Sequence, residues 1–441
     1  MSTSISRAQP TSAPAAIRRS VLPGGLRVVT EHVPGVRSAS VGLWVGVGSR
    51  DEKPSVAGAA HFLEHLLFKS TPTRTAASIA QEMDAVGGEL NAFTSKEHTC
   101  FYAHVLDEHA RAAIDLVADV VLRGRCAGGD VETERDVVLE EIAMRDDDHE
   151  DLLADAFMTA LYGDHPIGRP VIGSIDSVSS MTRTQVHSFH TRRYVPERMV
   201  LVVAGNVRHA DVVAQARDSF AGHLSPERVV AGPRRRSLRP PATRSGLELI
   251  SRDTEQAHLL LGVPTPGIDD RDRHALAVLN AAIGGGLSSR LFQQIREERG
   301  LAYSVYSSVD TYTDTGAFSL YAGCSPERLA EVATVGMAVL GDVAENGITD
   351  EECARAQGSL RGSLLLGLED TQSRMHRIGM AEIDTGTHRS VNHALRQIDA
   401  VRPARVAAVA RHILAATPAV AVVGPYRRVR DLPRSVRALV G

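Results

Sequence analysis

From Val21 onward, the apolar and polar positions of the chain alternate between two periods. Short alternating runs predict strands at Leu26 to Glu31 and Ser40 to Val47, bounded by the turn residues Pro23-Gly24-Gly25 and Val33-Pro34-Gly35. Helical spacing predicts helices over Ala57 to Lys69, over Thr75 to Val86, where Gly87-Gly88 forms the C-cap, and over Asp107 to Arg123. A longer helix is predicted from Asp130 to Ala160, with Val131, Val137, Val138, Leu139, Ile142 and Met144 early in it. Glu89 to Ser95 and Thr99 to Leu106 alternate on either side of a turn and predict a hairpin. Met199 to Val207 reads as a buried strand passing through Ala204-Gly205-Asn206 at its end.

The periodicity fails twice. Residues 1–20 are rich in Ser, Ala, Pro and Arg and hold no acid. They predict a disordered tail; the alternative is a mitochondrial transit peptide, against which Pro10 and Pro14 would break an amphipathic helix. Residues 225–246, with Pro226, Pro233, Pro240, Pro241 and three consecutive arginines, predict a linker. The expected organisation is a tail (1–20), a first domain (21–224), a linker (225–246) and a second domain (247–441). The C-terminal domain reads as a degenerate copy of the N-terminal one. A strand ending near Gly46 recurs as one ending at Gly262, and the strand through Ala204-Gly205 recurs at Val423-Gly424, at a near-constant offset.

Composition narrows the class. The chain has 441 residues, 43% hydrophobic and 23% charged, enough for two to four ordinary cores. A net charge of −4 suggests neither a nucleic-acid footprint nor a membrane-surface patch, and no apolar run is long enough to span a bilayer. Cys100, Cys126, Cys324 and Cys353 are scattered, which fits a reducing compartment. The only lysines are Lys53, Lys69 and Lys96, a bias that points to a high-GC bacterial genome rather than to physics. A bacterial cytoplasmic location is expected, with the mitochondrial matrix as the alternative.

The candidate chemistry lies in His61-Phe62-Leu63-Glu64-His65. On a helix, positions three and four apart share one face, so His61, Glu64 and His65 converge. Two neutral imidazoles four apart suit Zn²⁺, and a carboxylate beside them can act as general base on the attacking water. The order H-x-x-E-H inverts the commoner H-E-x-x-H. Five letters alone also fit a solvated surface helix. A further ligand is needed, and the helix from Asp130 supplies candidates: Glu134 and Glu141 are two turns apart and neighbour apolar Val137, Val138 and Ile142.

Taken together, several motifs resemble the pitrilysin family of zinc peptidases, which includes insulin-degrading enzyme and the mitochondrial processing peptidases. They are His61 to Thr71, Gly87 to Ser95, Glu134 to Ile142, His165-Pro166-Ile167-Gly168-Arg169-Pro170 and Arg296 to Tyr303, in order, and the resemblance runs from about Val21 to Ala421. It implies an α+β fold: two homologous α/β-sandwich domains from a gene duplication, mostly antiparallel sheets with helices packed on one face, assembling into a clam-shell chamber. It implies a zinc metalloendopeptidase in which His61, His65 and Glu141 hold Zn²⁺, Glu64 is the general base and Glu134 supports from behind. It further implies that substrate pairs with the edge strand at Asn91, Ala92 and Phe93, that Phe68 lines the pocket after the cut, and that Asp151 and Asp155 receive an arginine before it. At Asp151 this chain carries aspartate where glutamate is usual in the family, which makes that arm of the pocket shorter. Arg296 and Tyr303, in the half without a histidine pair, would grip the substrate near the reacting carbonyl. The partner would be a peptide or unfolded protein, and the assembly a homodimer. The alternatives within the resemblance are a non-catalytic core or scaffold subunit, or the beta subunit of a heterodimeric processing peptidase. Gly284-Gly285-Gly286 lacks the lysine of a phosphate loop and reads as a flexible turn.

Overall fold

The computed structural model describes residues 17–225, 227, 229 and 240–440. Among these residues eleven strands form two sheets. The first contains β1 (Ile17–Val21), β2 (Arg27–His32), β3 (Ser38–Val45), β4 (Glu89–Thr94), β5 (Thr99–Leu106) and β6 (Met199–Gly205), in the spatial order β1-β2-β6-β3-β5-β4. The second contains β7 (Leu247–Ser251), β8 (Ala257–Thr265), β9 (Ala302–Thr311), β10 (Gly316–Cys324) and β11 (Ala419–Gly424), in the order β7-β11-β8-β10-β9. Each sheet has one parallel pair, β2 with β6 and β7 with β11; the other pairs are antiparallel. The two halves thus repeat one plan, with β4 and β9 as corresponding edges. Gly262 lies inside β8, which continues to Thr265 rather than ending at that glycine.

The first half also holds α1 (Ala59–Leu67), α2 (Ala76–Asp84), α3 (Ala110–Arg123), α4 (Gly128–Asp147) and α5 (His149–Tyr162). The single helix expected from Asp130 to Ala160 is two helices. Asp148 adopts an extended backbone and its carboxylate accepts the amides of Glu150 and Asp151 at 2.8 and 3.1 Å, capping α5 and ending α4. Of the expected tail, residues 1–16 lie outside the described residues. Its last part is not a tail: Ile17–Val21 pairs antiparallel with β2. Of the expected linker, residues 226, 228 and 230–239 lie outside the described residues.

One face of each sheet packs on the helices of its own half. The other face is covered by a helix from the opposite half. α5 lays Leu153, Phe157 and Leu161 on the second sheet, against Leu260, Tyr321 and Val423. The helix Thr371–Asp384 lays Met375 and Ile378 on the first sheet, against Val29, Trp44 and Val202. Each such buried side chain contributes about 1.5–3 kcal/mol as an upper estimate. Close approach needs glycine: a Cβ at Gly379 would come within 2.2 Å of the Trp44 ring. Polar groups follow the same exchange. Glu382, fully buried, takes Arg19 Nε at 3.0 Å and lies 3.7 Å from Arg27 Nη1. Arg50 pairs with Asp314 through both terminal nitrogens, at 2.8 and 2.7 Å. Because α5 follows α4 directly, the helix that carries Glu134 and Glu141 is anchored in both halves.

Candidate active site

α1 forms because its apolar positions fall on one side and its start is capped. Phe62, Leu63, Leu66 and Leu67 are fully buried against the first sheet and α3. The Glu52 carboxylate accepts the amides of Gly58 and Ala60, each at 2.7 Å, satisfying donors that a helix start leaves open. Gly58 is in the left-handed region (φ +90°) and packs against the Ile172 carbonyl, so no side chain fits there. The opposite side of α1 presents His61, Glu64 and His65 to a cleft of about 690 Å³, whose lining residues run from His61 to Glu141.

Glu141 of α4 meets the two imidazoles there. Its Oε2 lies 3.7 Å from His61 Nε2 and 3.4 Å from His65 Nε2. One ligand atom from each of the three residues lies within 4.8 Å of the others. Donors around a tetrahedral zinc at about 2.0–2.2 Å sit roughly 3.4 Å apart, so the set needs little adjustment to close on an ion. Burial, with His65 adding to it, pulls the His61 imidazole down to about 4, leaving it neutral as a ligand must be. The residues present fit zinc.

Glu134 takes a different position from Glu141. Its side chain is 5% exposed, against 36% for Glu141, and its Oε2 lies 3.3 Å from His65 Nδ1, on the far side of the ring. Its Oε1 lies 2.5 Å from Lys69 Nζ. Glu64 points into the cleft, where Thr94 Oγ1 of β4 donates to its Oε2 at 2.6 Å. Burial raises the Glu64 carboxyl above its ordinary value, with Glu141 adding to that, while the Thr94 bond and His65 pull it back. Phe68 and Asn91 also line the cleft. Thr94, Lys69 and Glu52 are absent from the expected site residues; the first two lie within the family motifs, but spacing alone assigns them no partner.

β4 is an open edge. The amide of Ala92 is held by the side-chain oxygen of Asn91 at 2.8 Å, which blunts that edge without a second strand. Phe93 faces away from the cleft, edge-on to Trp44 at 5.6 Å and to His376 at 5.4 Å. Asp151 and Asp155 lie on α5 and do not line the cleft. Asp155 already accepts the chain's own Arg145 at 2.7 Å, so an incoming arginine would have to displace it. Arg296 and Tyr303 stack on each other, the guanidinium carbon 4.8 Å from the ring centre, and Tyr303 is 77% exposed. They are not brought to His61, His65 and Glu141 within this chain: among the described residues nothing from the second half lines the cleft. In that half a hollow of about 880 Å³ lies over the helix Arg273–Gly284, which offers it Arg273, His274, Leu276, Ala277, Asn280 and Ala281: one histidine and no pair.

Comparison with known proteins points to one family. Residues 27–174 match the family model described as insulinase, peptidase family M16, and residues 180–360 match that of the peptidase M16 inactive domain. A protein of Mycobacterium tuberculosis described as an uncharacterized zinc protease is 62% identical over 424 residues, covering 96% of this chain and 97% of its own. The Bacillus subtilis protein YmxG, described in the same words, is 37% identical over 409 residues, covering 93% and 98%. Two crystal structures share the fold: a protease from Helicobacter pylori (TM-score 0.85, 22% identity, covering 94% of this chain and 100% of that one) and a peptidase M16 inactive domain from Pseudomonas fluorescens (TM-score 0.84, 21% identity, covering 93% and 98%). Among the described residues no helix is long and apolar enough to cross a membrane. With one motif-bearing half, one half that lacks the histidine pair, and relatives matched over nearly their whole length, the chain belongs to peptidase family M16.

Proposed function

We propose that this protein is a zinc metalloendopeptidase that hydrolyses peptides or extended segments of unfolded protein, working as a homodimer. The observation that carries the reading is the convergence of His61, His65 and Glu141 beside Glu64 in one cleft. The intact set argues against a scaffold role, which would not need it.

His61 Nε2, His65 Nε2 and a Glu141 oxygen would hold the ion. Zinc, when bound, polarises the scissile carbonyl and makes water acidic near neutral pH, at about 7. Glu64 receives a proton from the attacking water and returns it to the leaving amine nitrogen. The Thr94 hydroxyl fixes one of its oxygens, and the other accepts no hydrogen bond among the described residues. Substrate would lie along β4, its main chain replacing the Asn91 side chain at the Ala92 amide.

Tyr303 is exposed, Arg296 is half-buried, and neither lines the cleft of its own chain, so a second copy would supply them. A two-fold dimer then has two equivalent sites, each built from both chains. Complementation tests this. Glu64→Gln and Arg296→Ala are each expected to be nearly inactive alone. Mixed under conditions that exchange subunits, half the dimers are mixed and each has one of its two sites intact. Activity should therefore return to about a quarter of wild type. No recovery despite demonstrated exchange would mean that Arg296 acts within its own chain or not at all.

A further inference from the structure

We infer that Lys69 is a positioning residue for the metal centre, acting on His65 through Glu134. The inference rests on the zinc reading above. Lys69 lies four residues after His65, on the turn where α1 ends, and its amide donates to Leu66 O at 3.2 Å. Its ammonium returns to α4 and meets Glu134 Oε1 at 2.5 Å, while the other oxygen of the same carboxylate lies 3.3 Å from His65 Nδ1. Across that ring, His65 Nε2 faces Glu141 at 3.4 Å. The order is therefore ammonium, carboxylate, imidazole, ligand position, with each oxygen of Glu134 committed to one neighbour.

Exposed lysine–carboxylate pairs usually contribute little. This pair is different because the Glu134 side chain is 5% exposed, and a carboxylate so buried needs a partner at each oxygen. If the ammonium is lost, Oε1 has no other partner among those described and the carboxylate is free to turn. His65 then loses the acceptor that holds its proton on Nδ1 and keeps the Nε2 lone pair toward the ion. His61 offers no compensation. Its Nδ1 is buried without a hydrogen-bond partner among the described residues, so among them only one of the two imidazoles has an orienting group.

The test is the zinc dissociation constant, measured by competition with a chromophoric chelator on the full chain. The variants are Lys69→Met, Lys69→Arg, Glu134→Gln and the double variant Lys69→Met/Glu134→Gln. Lys69→Met should weaken zinc by about 10–100-fold, the usual cost of losing an orienting partner behind a ligand. Lys69→Arg keeps the charge and should recover most of the affinity. The double variant should bind no more weakly than Glu134→Gln alone, because Lys69 acts only through that carboxylate. It also removes the unpaired buried charge, so it reports on the coupling even where Lys69→Met folds poorly. Wild-type affinity in Lys69→Met, equal loss in Lys69→Arg and Lys69→Met, or independent losses that multiply in the double variant would each overturn the inference while leaving the zinc reading intact. A wild-type chain that binds no zinc would overturn both.

Discussion

Glu64→Gln is expected to fold and bind zinc as the wild type does and to lose peptide hydrolysis by at least roughly 10²–10⁴-fold, the range a general base alone supplies. Glutamine keeps the shape of the side chain and can still accept the Thr94 hydroxyl, which reaches Oε2 at 2.6 Å. It cannot take up a proton from water or return one to the amine. The three candidate ligands, His61, His65 and Glu141, are untouched, so zinc content separates loss of the base from loss of the metal. Retention of more than about a tenth of wild-type kcat would remove Glu64 from this role.

The second large effect separates the two glutamates of α4. Glu141→Gln removes the only carboxylate among the described residues that faces both Nε2 atoms, at 3.7 and 3.4 Å, and should abolish stoichiometric zinc and turnover together. Glu134→Gln leaves all three ligands in place. It should retain zinc when the metal is in excess, with weaker affinity, and lose rate because His65 is no longer held from behind. Metal analysis by mass spectrometry distinguishes them. Zinc lost from Glu134→Gln and kept by Glu141→Gln would show that ligand and support are exchanged.

What the sequence revealed follows from how local each signal is. The spacing of His61, Glu64 and His65 is a property of one helix and can be read directly. The hairpin of β4 and β5 and the buried strand β6 are equally local, and their edges lie within two residues of the expected ones. Glu134 and Glu141 share a helix face, so spacing alone offers both as ligands; their difference lies in which nitrogen of His65 each meets. The break at Asp148 falls inside the wholly polar run Arg145 to Asp151, where no apolar position marks a period, and it comes from Asp148 capping α5. β1 is hidden because IRRSV carries no strand signal of its own: its pairing with β2 and the ion pair from Arg19 to Glu382 come from residues far away in sequence. The exchange of α5 and Thr371–Asp384 between the sheets leaves no local trace either, since a helix face is equally apolar whichever half covers it.

The most direct test of a zinc-dependent peptidase combines zinc content with turnover of a quenched peptide on one preparation of the full chain, before chelation, after chelation and after zinc is restored. The expected result is about one zinc per chain, cleavage that disappears with the metal and returns with it, and a Glu64→Gln control that carries the same zinc without cleavage. Cleavage that persists in the stripped chain, or a zinc-loaded wild type that cleaves no peptide bond in a diverse library, would contradict it.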